Sequence, residues 1–401
     1  MYLKRLSLTN FRQFSRLDLD VPREIFLLVG ANAQGKTTLL EAIYFLSTYS
    51  SFHASSDRQL VNFALPDVGT TVGRIVGDFV RQDGEHRIEV RLIRESNNGN
   101  GRSRFRKEVL LDGVKRKMSE VVGQFNAVIF LPQMARIIEE SPSDRRRYLD
   151  MLISQVSPRY LQHLSDYAQT LTQRNALLKL LGERGGDVEE LAVWDGMLAR
   201  HGAFIMKERI QAIRELEDEA RRIHYSLTHG MEVLRLDYQP AYDPLEKPEG
   251  QMMLNVSSVV DRSGFTLEEM EKGMAAALGK RQREEIARGA TTIGPHRDEL
   301  RFLSNQVDLG DYGSRGQGRT TLLALKLGEV NYLRSKTGEW PVLLLDEIMS
   351  ELDVQRRADL LAALAECDQA ILTSTDLSMF EPEFIDSHAA WRVEGGMVHK
   401  E

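Results

Sequence analysis

Two glycine-rich stretches of this chain carry residue types that could grip phosphate. The first is GANAQGKTT, Gly30 to Thr38. Gly30, Gly35, Lys36 and Thr37 stand in it at the spacing of a phosphate-binding loop. Glycines let backbone N–H groups turn toward phosphate oxygens. A helix starting behind the loop adds its free N–H groups and the positive end of its dipole. Ala31, Asn32, Ala33, Gln34 and Thr38 complete the expected cradle. Lys36 is expected to reach the β- and γ-phosphates of a nucleotide, and the Thr37 hydroxyl to ligate Mg²⁺. The second stretch, GSRGQGRTTLLALKL, Gly313 to Leu327, opens with a Ser-x-Gly-Gln core. It then becomes a helix, with its start expected from about Gly318. A third element is acidic. PVLLLDE places Asp346 and Glu347 at the end of a buried strand, Asp346 to hold Mg²⁺ and Glu347 to orient the attacking water.

The elements around these residues suit the roles. IFLLVG is a short apolar run ahead of the first loop, and a helix is expected from Lys36 to about Tyr49. Residues 1 to about 137 read as β-rich, with alternating YLKRLSLTNF followed by HRIEVRLI, KEVLLDG and NAVIFLP. The middle is mostly helical. Leu161, Leu164, Ala168, Leu171 and Leu178 form one stripe, and Leu191 to Ile223 carry another beyond the break GERGGD. These predict an antiparallel helical hairpin with each helix about three to five turns long, His201 packed at its seam, and a later helix behind a Thr266/Glu269 capping box. From about Thr291 strand signals return. The fold class expected is α/β: an ATPase-type head split into 1–137 and 291–401, with a helical arm, 138–290, inserted between its halves.

Composition bounds the function. The chain has 401 residues, 42% of them hydrophobic and 28% charged, as in a globular protein. No apolar run is long enough to cross a bilayer, and the N-terminal stretch lacks the pattern of a signal peptide. Cys367 is the sole cysteine, so no intrachain disulfide can form, and a reducing cytoplasm is expected. A net charge of −7 argues against indiscriminate nucleic-acid binding but leaves room for a local basic face. Arg102, Arg104, Arg106, Lys107, Lys115, Arg116 and Lys117 form the densest basic run, which is either a solvated face or a candidate contact to nucleic-acid phosphates. DRRRY, with Arg145 to Arg147, is a second cluster whose alternative is pairing with acidic neighbours.

The order phosphate loop, insertion, Ser-x-Gly-Gln, acidic strand resembles the ABC-type ATPases, and the long insertion resembles their SMC branch. LTNFRQF, NAQGKTT, SPSDRRRYLD, GPHRDEL, SRGQGRTTLLALKL and LLLDEIMSELD, in that order, narrow the resemblance to the bacterial RecF family over nearly the full length. It implies that Ser314, Gly316 and Gln317 form the signature that meets the γ-phosphate of an ATP held by another protomer. Two chains would then enclose two nucleotides. It further implies that SELD, Ser350 to Asp353, crosses the dimer interface. Gln133, in LPQ, becomes a candidate contact to Mg²⁺ and water. Where many members have a histidine in the switch strand, Thr373 to Thr375 stand here. Glu347 stands where a second Asp is commoner, and His53 where an arginine is.

The function implied is an ATP-dependent DNA-binding ATPase of replication and recombinational repair. It would form an ATP-dependent homodimer on duplex, gapped or junction DNA, and would help load the RecA recombinase at gaps with RecO and RecR. A cytoplasmic, nucleoid-associated location follows. Two other classes share the phosphate loop: the ATPase subunit of a membrane transporter, and a small-molecule kinase, which would have no use for Ser314. His296, in GPHRDEL, is open to either a catalytic or a structural reading.

Overall fold

The alternation in Tyr2–Phe11 and its partners builds a twisted antiparallel sheet with one apolar face. A computed structural model describes residues 1–54, 56–65, 69–96, 103–139, 141–245 and 259–400. The chain divides into two compact units, Met1–Met134 with Glu329–Glu401, and Ala135–Gly328.

The first unit holds two six-stranded sheets. One runs in the order Phe14–Asp20, Tyr2–Phe11, Gly69–Arg81, Gly84–Ser96, Ser103–Leu111, Val114–Arg116, antiparallel throughout. The other runs Met397–Lys400, Ala389–Glu394, Ile25–Val29, Ala370–Ser374, Val342–Asp346, Ala127–Phe130. It is parallel except for the first pair. The continuous apolar runs IFLLV, AILTS and VLLLD are buried on both faces, as a covered parallel sheet requires. The helix Lys36–Thr48 packs against strands of both sheets and is buried along nearly its whole length. Contact is close enough that a Cβ on Gly77 would lie 2.6 Å from a Leu46 methyl.

The antiparallel sheet's other face is a ladder of opposite charges. Arg87 donates to Asp78, Arg74 and Arg91 donate to Glu89, and Arg106 and Lys115 both pair with Glu108. The two arginines hold the Glu89 carboxyl down to about 2. Such cross-strand pairs fix register and leave little unbalanced charge.

The second unit is helical around a small sheet. Pro158–Arg184, Leu191–Leu227 and Leu267–Arg288 pack on one another, and Leu178, Leu181 and Leu191 form a core cluster with Leu177 and Ile286 against it. The first two helices have 27 and 37 residues, about 40 and 55 Å at 1.5 Å per residue. Both exceed the expected three to five turns; the second runs nearly the whole length of its stripe, Leu191 to Ile223, with good helix formers such as MKER and EDEARR filling the positions between the apolar ones. The expected hairpin is therefore two sides of a three-helix assembly. Thr266 caps the third helix with Glu269 in the expected reciprocal pattern.

Residues 291–328 group with this unit rather than with the C-terminal strands. The reason is a long-range ladder, Leu234–Gln239 against Glu299–Ser304, which local periodicity cannot reveal. The helix Arg315–Thr337 begins in this unit, and its residues from Glu329 onward group with the first.

Candidate nucleotide site and signature

The first glycine loop joins the strand Ile25–Val29 to the helix Lys36–Thr48, as its spacing predicts. Its glycines answer to the chain's own atoms. Gly35 sits at φ +114, where a side chain would be strained, and a Cβ there would lie 2.8 Å from the Phe14 ring. A Cβ on Gly30 would lie 2.4 Å from the Val393 carbonyl oxygen. Ala31, Asn32 and Ala33 are exposed at the rim, with Ala33 left-handed at φ 65. Gln34 accepts from the Gly395 N–H at 2.7 Å, and the Thr38 hydroxyl donates to Gln13 at 3.0 Å. Gln13, at the tip of the FRQF turn, is a loop neighbour that spacing arguments missed. Its only sequence signal is its place within LTNFRQF. Beside it, Arg12 donates to the buried Glu41 at 2.9 and 2.7 Å and anchors that turn to the loop helix.

The acidic strand brings its residues to the loop across more than 300 positions. Thr37 Oγ1 lies 3.0 and 2.8 Å from the two Asp346 oxygens. The Thr373 hydroxyl donates to Asp346 at 2.7 Å and accepts from the Glu347 N–H at 3.0 Å. Thr373 thus ties the switch strand to both carboxylate residues. Lys36 is buried, with its ammonium on the Gly30 and Ala31 carbonyls and 3.1 Å from Glu347 Oε1. Glu347 has a left-handed backbone, φ 51, a conformation costing about 1–3 kcal/mol in a non-glycine residue. The strained turn presents its carboxylate to Lys36.

The paired Thr37 and Asp346 oxygens are the hard donors Mg²⁺ takes, one or two from protein with the rest from phosphates and water. Among the described residues no group of three or more His, Cys, Asp or Glu side chains could hold a metal unaided, so the donor set fits a cation that arrives with a nucleotide. Gln133 is exposed in the short turn Pro132–Ala135, which leaves the strand paired in parallel with the acidic strand, Phe130 opposite Leu345.

The second glycine start has a different construction. Its helix begins at Arg315, three residues ahead of the expected start. The motif itself is a capping box: Ser314 Oγ accepts from the Gln317 N–H at 3.2 Å, and Gln317 Oε1 accepts from the Ser314 N–H at 3.0 Å. Ser314, Arg315 and Gly316 are exposed. A Cβ on Gly316 would meet nothing closer than its own neighbour's Ser314 Oγ at 3.9 Å.

The basic run divides. Arg102 lies outside the described residues. Lys107 does not serve as a free phosphate contact: its ammonium donates to the Tyr49 carbonyl at 2.7 Å and Asp57 at 2.8 Å and lies over the Phe45 ring. Strand alternation turns it inward, which a charge count does not see. Arg106 and Lys115 are exposed but paired with carboxylates, while Arg104, Arg116 and Lys117 are exposed without such pairs among the described residues. In DRRRY, Arg145 is buried against Glu299 at 2.7 Å and Arg146 donates to the Asp298 carbonyl at 2.7 Å. His53 is exposed, its ring tilted 55° to that of Phe52 with centroids 4.5 Å apart.

His296 has a structural setting. Its Nδ1 lies 2.7 Å from the Tyr167 hydroxyl and its Nε2 3.3 Å from the Thr291 carbonyl, so Nε2 carries the proton. Burial pushes its pKa down to about 4. His201 meets His163, Nδ1 to Nδ1, at 3.1 Å on the helical seam where it was expected.

Comparison with known proteins places this arrangement. Residues 2–392 match the model of the RecF/RecN/SMC N terminal domain. The chain is 39% identical to the DNA replication and repair protein RecF of Chloroflexus aurantiacus over 99% of both chains, and 39% identical to that of Roseiflexus castenholzii over the full length of both. Solved structures of the recombination mediator protein RecF in the RecFOR pathway, described with ATP and with ATPrS, are also similar. They have TM-scores of 0.84 and 0.83, identities of 32% and 33%, and cover all of this chain and 97% and 98% of their own. The α/β fold is that of an SMC-type ABC ATPase head, and the chain belongs to the RecF family.

Proposed function

We propose that this chain binds ATP with Mg²⁺ in the Gly30–Thr38 loop and dimerises on DNA, so that Ser314 and Gly316 of each protomer contact the γ-phosphate held by its partner. Hydrolysis of ATP to ADP and phosphate then releases the dimer. Thr37 and Asp346 hold the cation, which when bound neutralises phosphate charge. Arrival of the phosphates gives Lys36 stronger partners than Glu347. The carboxylate it leaves is then free to orient the attacking water. ATP favours the dimer by its extra affinity for the state in which both protomers touch it.

The observation that carries this reading is the open space around Gly316. No atom of the described chain crowds the Ser314–Gly316 start, so it is open to the close approach of a partner's phosphate. Ser314 keeps its hydroxyl proton available for that contact while its oxygen caps the helix. A small-molecule kinase has no use for such a motif, and the long helical insertion and the full-length likeness to RecF proteins weigh against a transporter's ATPase subunit.

The functional division follows the same logic: a head of residues 1–137 and 291–401 performs the nucleotide chemistry, and 138–290 is the arm. DNA is held by phosphate contacts without reading bases, with Arg104, Arg116 and Lys117, exposed and without carboxylate partners among the described residues, as the contacts. The work belongs to recombinational repair and replication in the cytoplasm, at the nucleoid, loading the recombinase at single-strand gaps with RecO and RecR. The test is the mass of the protein in solution with and without ATP and a gapped duplex. The wild type should double in mass with ATP, and Ser314→Arg should remain single while still binding nucleotide. A Ser314→Arg protein that dimerises and hydrolyses normally would refute the reading.

A further inference from the structure

The capping box at Ser314 leaves one group of Gln317 over, the side-chain N–H₂. It donates to Glu232 Oε1 at 3.1 Å. Glu232 lies in the turn between the long helix Leu191–Leu227 and the strand Leu234–Gln239. Its other oxygen, Oε2, accepts from the Ser304 hydroxyl at 2.6 Å and lies 3.9 Å from His224 Nε2.

The backbone under this carboxylate is pinned from two sides. The Glu232 N–H donates to Thr228 Oγ1 at 3.3 Å, and the Thr228 hydroxyl donates in turn to the His224 carbonyl at 2.8 Å. On either side of Glu232, Asn305 donates to the Met231 carbonyl at 3.0 Å and accepts from the Val233 N–H at 3.0 Å.

These contacts continue a seam. A Cβ on Gly328 would stand 3.0 Å from the Ala220 nitrogen, Thr321 Oγ1 lies 3.3 Å from His224 Nε2, and Gln317 meets Glu232. The signature helix is thus held against the end of the long helix by a backbone approach, a buried polar contact and a charged hydrogen bond. The last of the three sits at the motif itself.

We infer that Glu232 is a positioning residue for the signature: it fixes the Gln317 side chain, and through the capping box the direction in which the Ser314 hydroxyl and the Gly316 N–H are presented. It touches no reacting group, and the inference rests on the proposed role of Ser314 and Gly316. A charged hydrogen bond to one side chain of a helix cap restricts that side chain without contributing to the phosphate loop. Its loss should therefore act on the partner-dependent steps alone.

The test uses the full chain with Glu232→Ala, Glu232→Gln, Gln317→Ala and the Glu232→Ala/Gln317→Ala double variant. Three quantities are read: affinity of the single protomer for a fluorescent ATP analogue, ATP-driven dimerisation, and kcat. Glu232→Ala should lower dimerisation and kcat about tenfold with nucleotide affinity unchanged, the scale of one charged hydrogen bond. Glu232→Gln, which keeps an acceptor for Gln317, should recover most of the loss. The double variant should be no worse than Gln317→Ala, because both act through one side chain. Unchanged turnover in Glu232→Ala, or a double variant whose losses simply add, would overturn the inference while Ser314→Arg still blocks dimerisation. If Ser314→Arg is itself silent, the signature reading and this inference fall together.

Discussion

The two glycine-rich helix starts look alike in sequence and are built to opposite plans. The phosphate loop is packed by its own chain: Gly30 against the Val393 carbonyl, Gly35 against Phe14, Lys36 buried on loop carbonyls and beside Glu347. At the signature, Gly316 faces open space, and only the cap of the motif is held, by Gln317 and Glu232. A site whose glycines are dictated internally is complete in one chain. On the reading proposed above, the open start is the half of a site that a second protomer completes. The same residue type thus stands at one helix start closed by its own chain and at another left open by it.

That contrast can be broken by experiment. The largest effect is expected at the carboxylate shared with Lys36. Glu347→Gln should lower ATP hydrolysis by about 100-fold or more while nucleotide still binds and the dimer persists, by analogy with the loss of one pre-organised electrostatic group. Turnover and mass in solution measure both, and normal turnover would remove Glu347 from the chemistry.

Next comes the glycine pair. Gly30→Ala drives a Cβ into backbone and should destabilise the fold by about 2–3 kcal/mol, read as a lower Tm. Gly316→Ala should leave Tm unchanged and cut ATP-driven association instead. Equal Tm losses in both variants would erase the distinction between the two starts.

The smallest effect concerns the unit that bears the signature. His296 is buried neutral, with its pKa at about 4 against the ordinary 6.5. The unfolded chain therefore binds the extra proton between those values. The stability this group contributes is fully present above pH 6.5 and is lost as pH falls toward 4. Between pH 7 and 5 the loss should be about 2 kcal/mol, and His296→Gln should flatten that part of the stability curve. A wild-type curve no steeper than the variant's would contradict it.

The sheet and the arm differ in how far they could be read from sequence. In the first unit, short apolar runs and turn residues marked the buried strands, because a parallel strand covered on both faces has a near-continuous apolar pattern. In the second, stripe positions located the helices, and the second stripe spans nearly all of Leu191–Leu227, but the three to five turns expected of each fell short of both. The basic run shows the same limit at the level of one residue. Lys107 and Arg106 are adjacent in sequence, yet strand alternation sends one ammonium inward to Asp57 and leaves the other guanidinium on the charge ladder.

Local order along the chain by itself determined the chemistry. A glycine loop ahead of a helix, an acidic pair ending an apolar strand, and a Ser-x-x-Gln cap each depend on residues within one turn or one strand, so spacing suffices to recognise them. The tertiary structure alone decided which groups those motifs meet. Thr373 on Asp346, Glu232 on Gln317 and the ladder that draws residues 291–328 into the second unit all join positions far apart in the chain. Such contacts are set by how whole elements bury their apolar faces, and no short window of sequence contains that information.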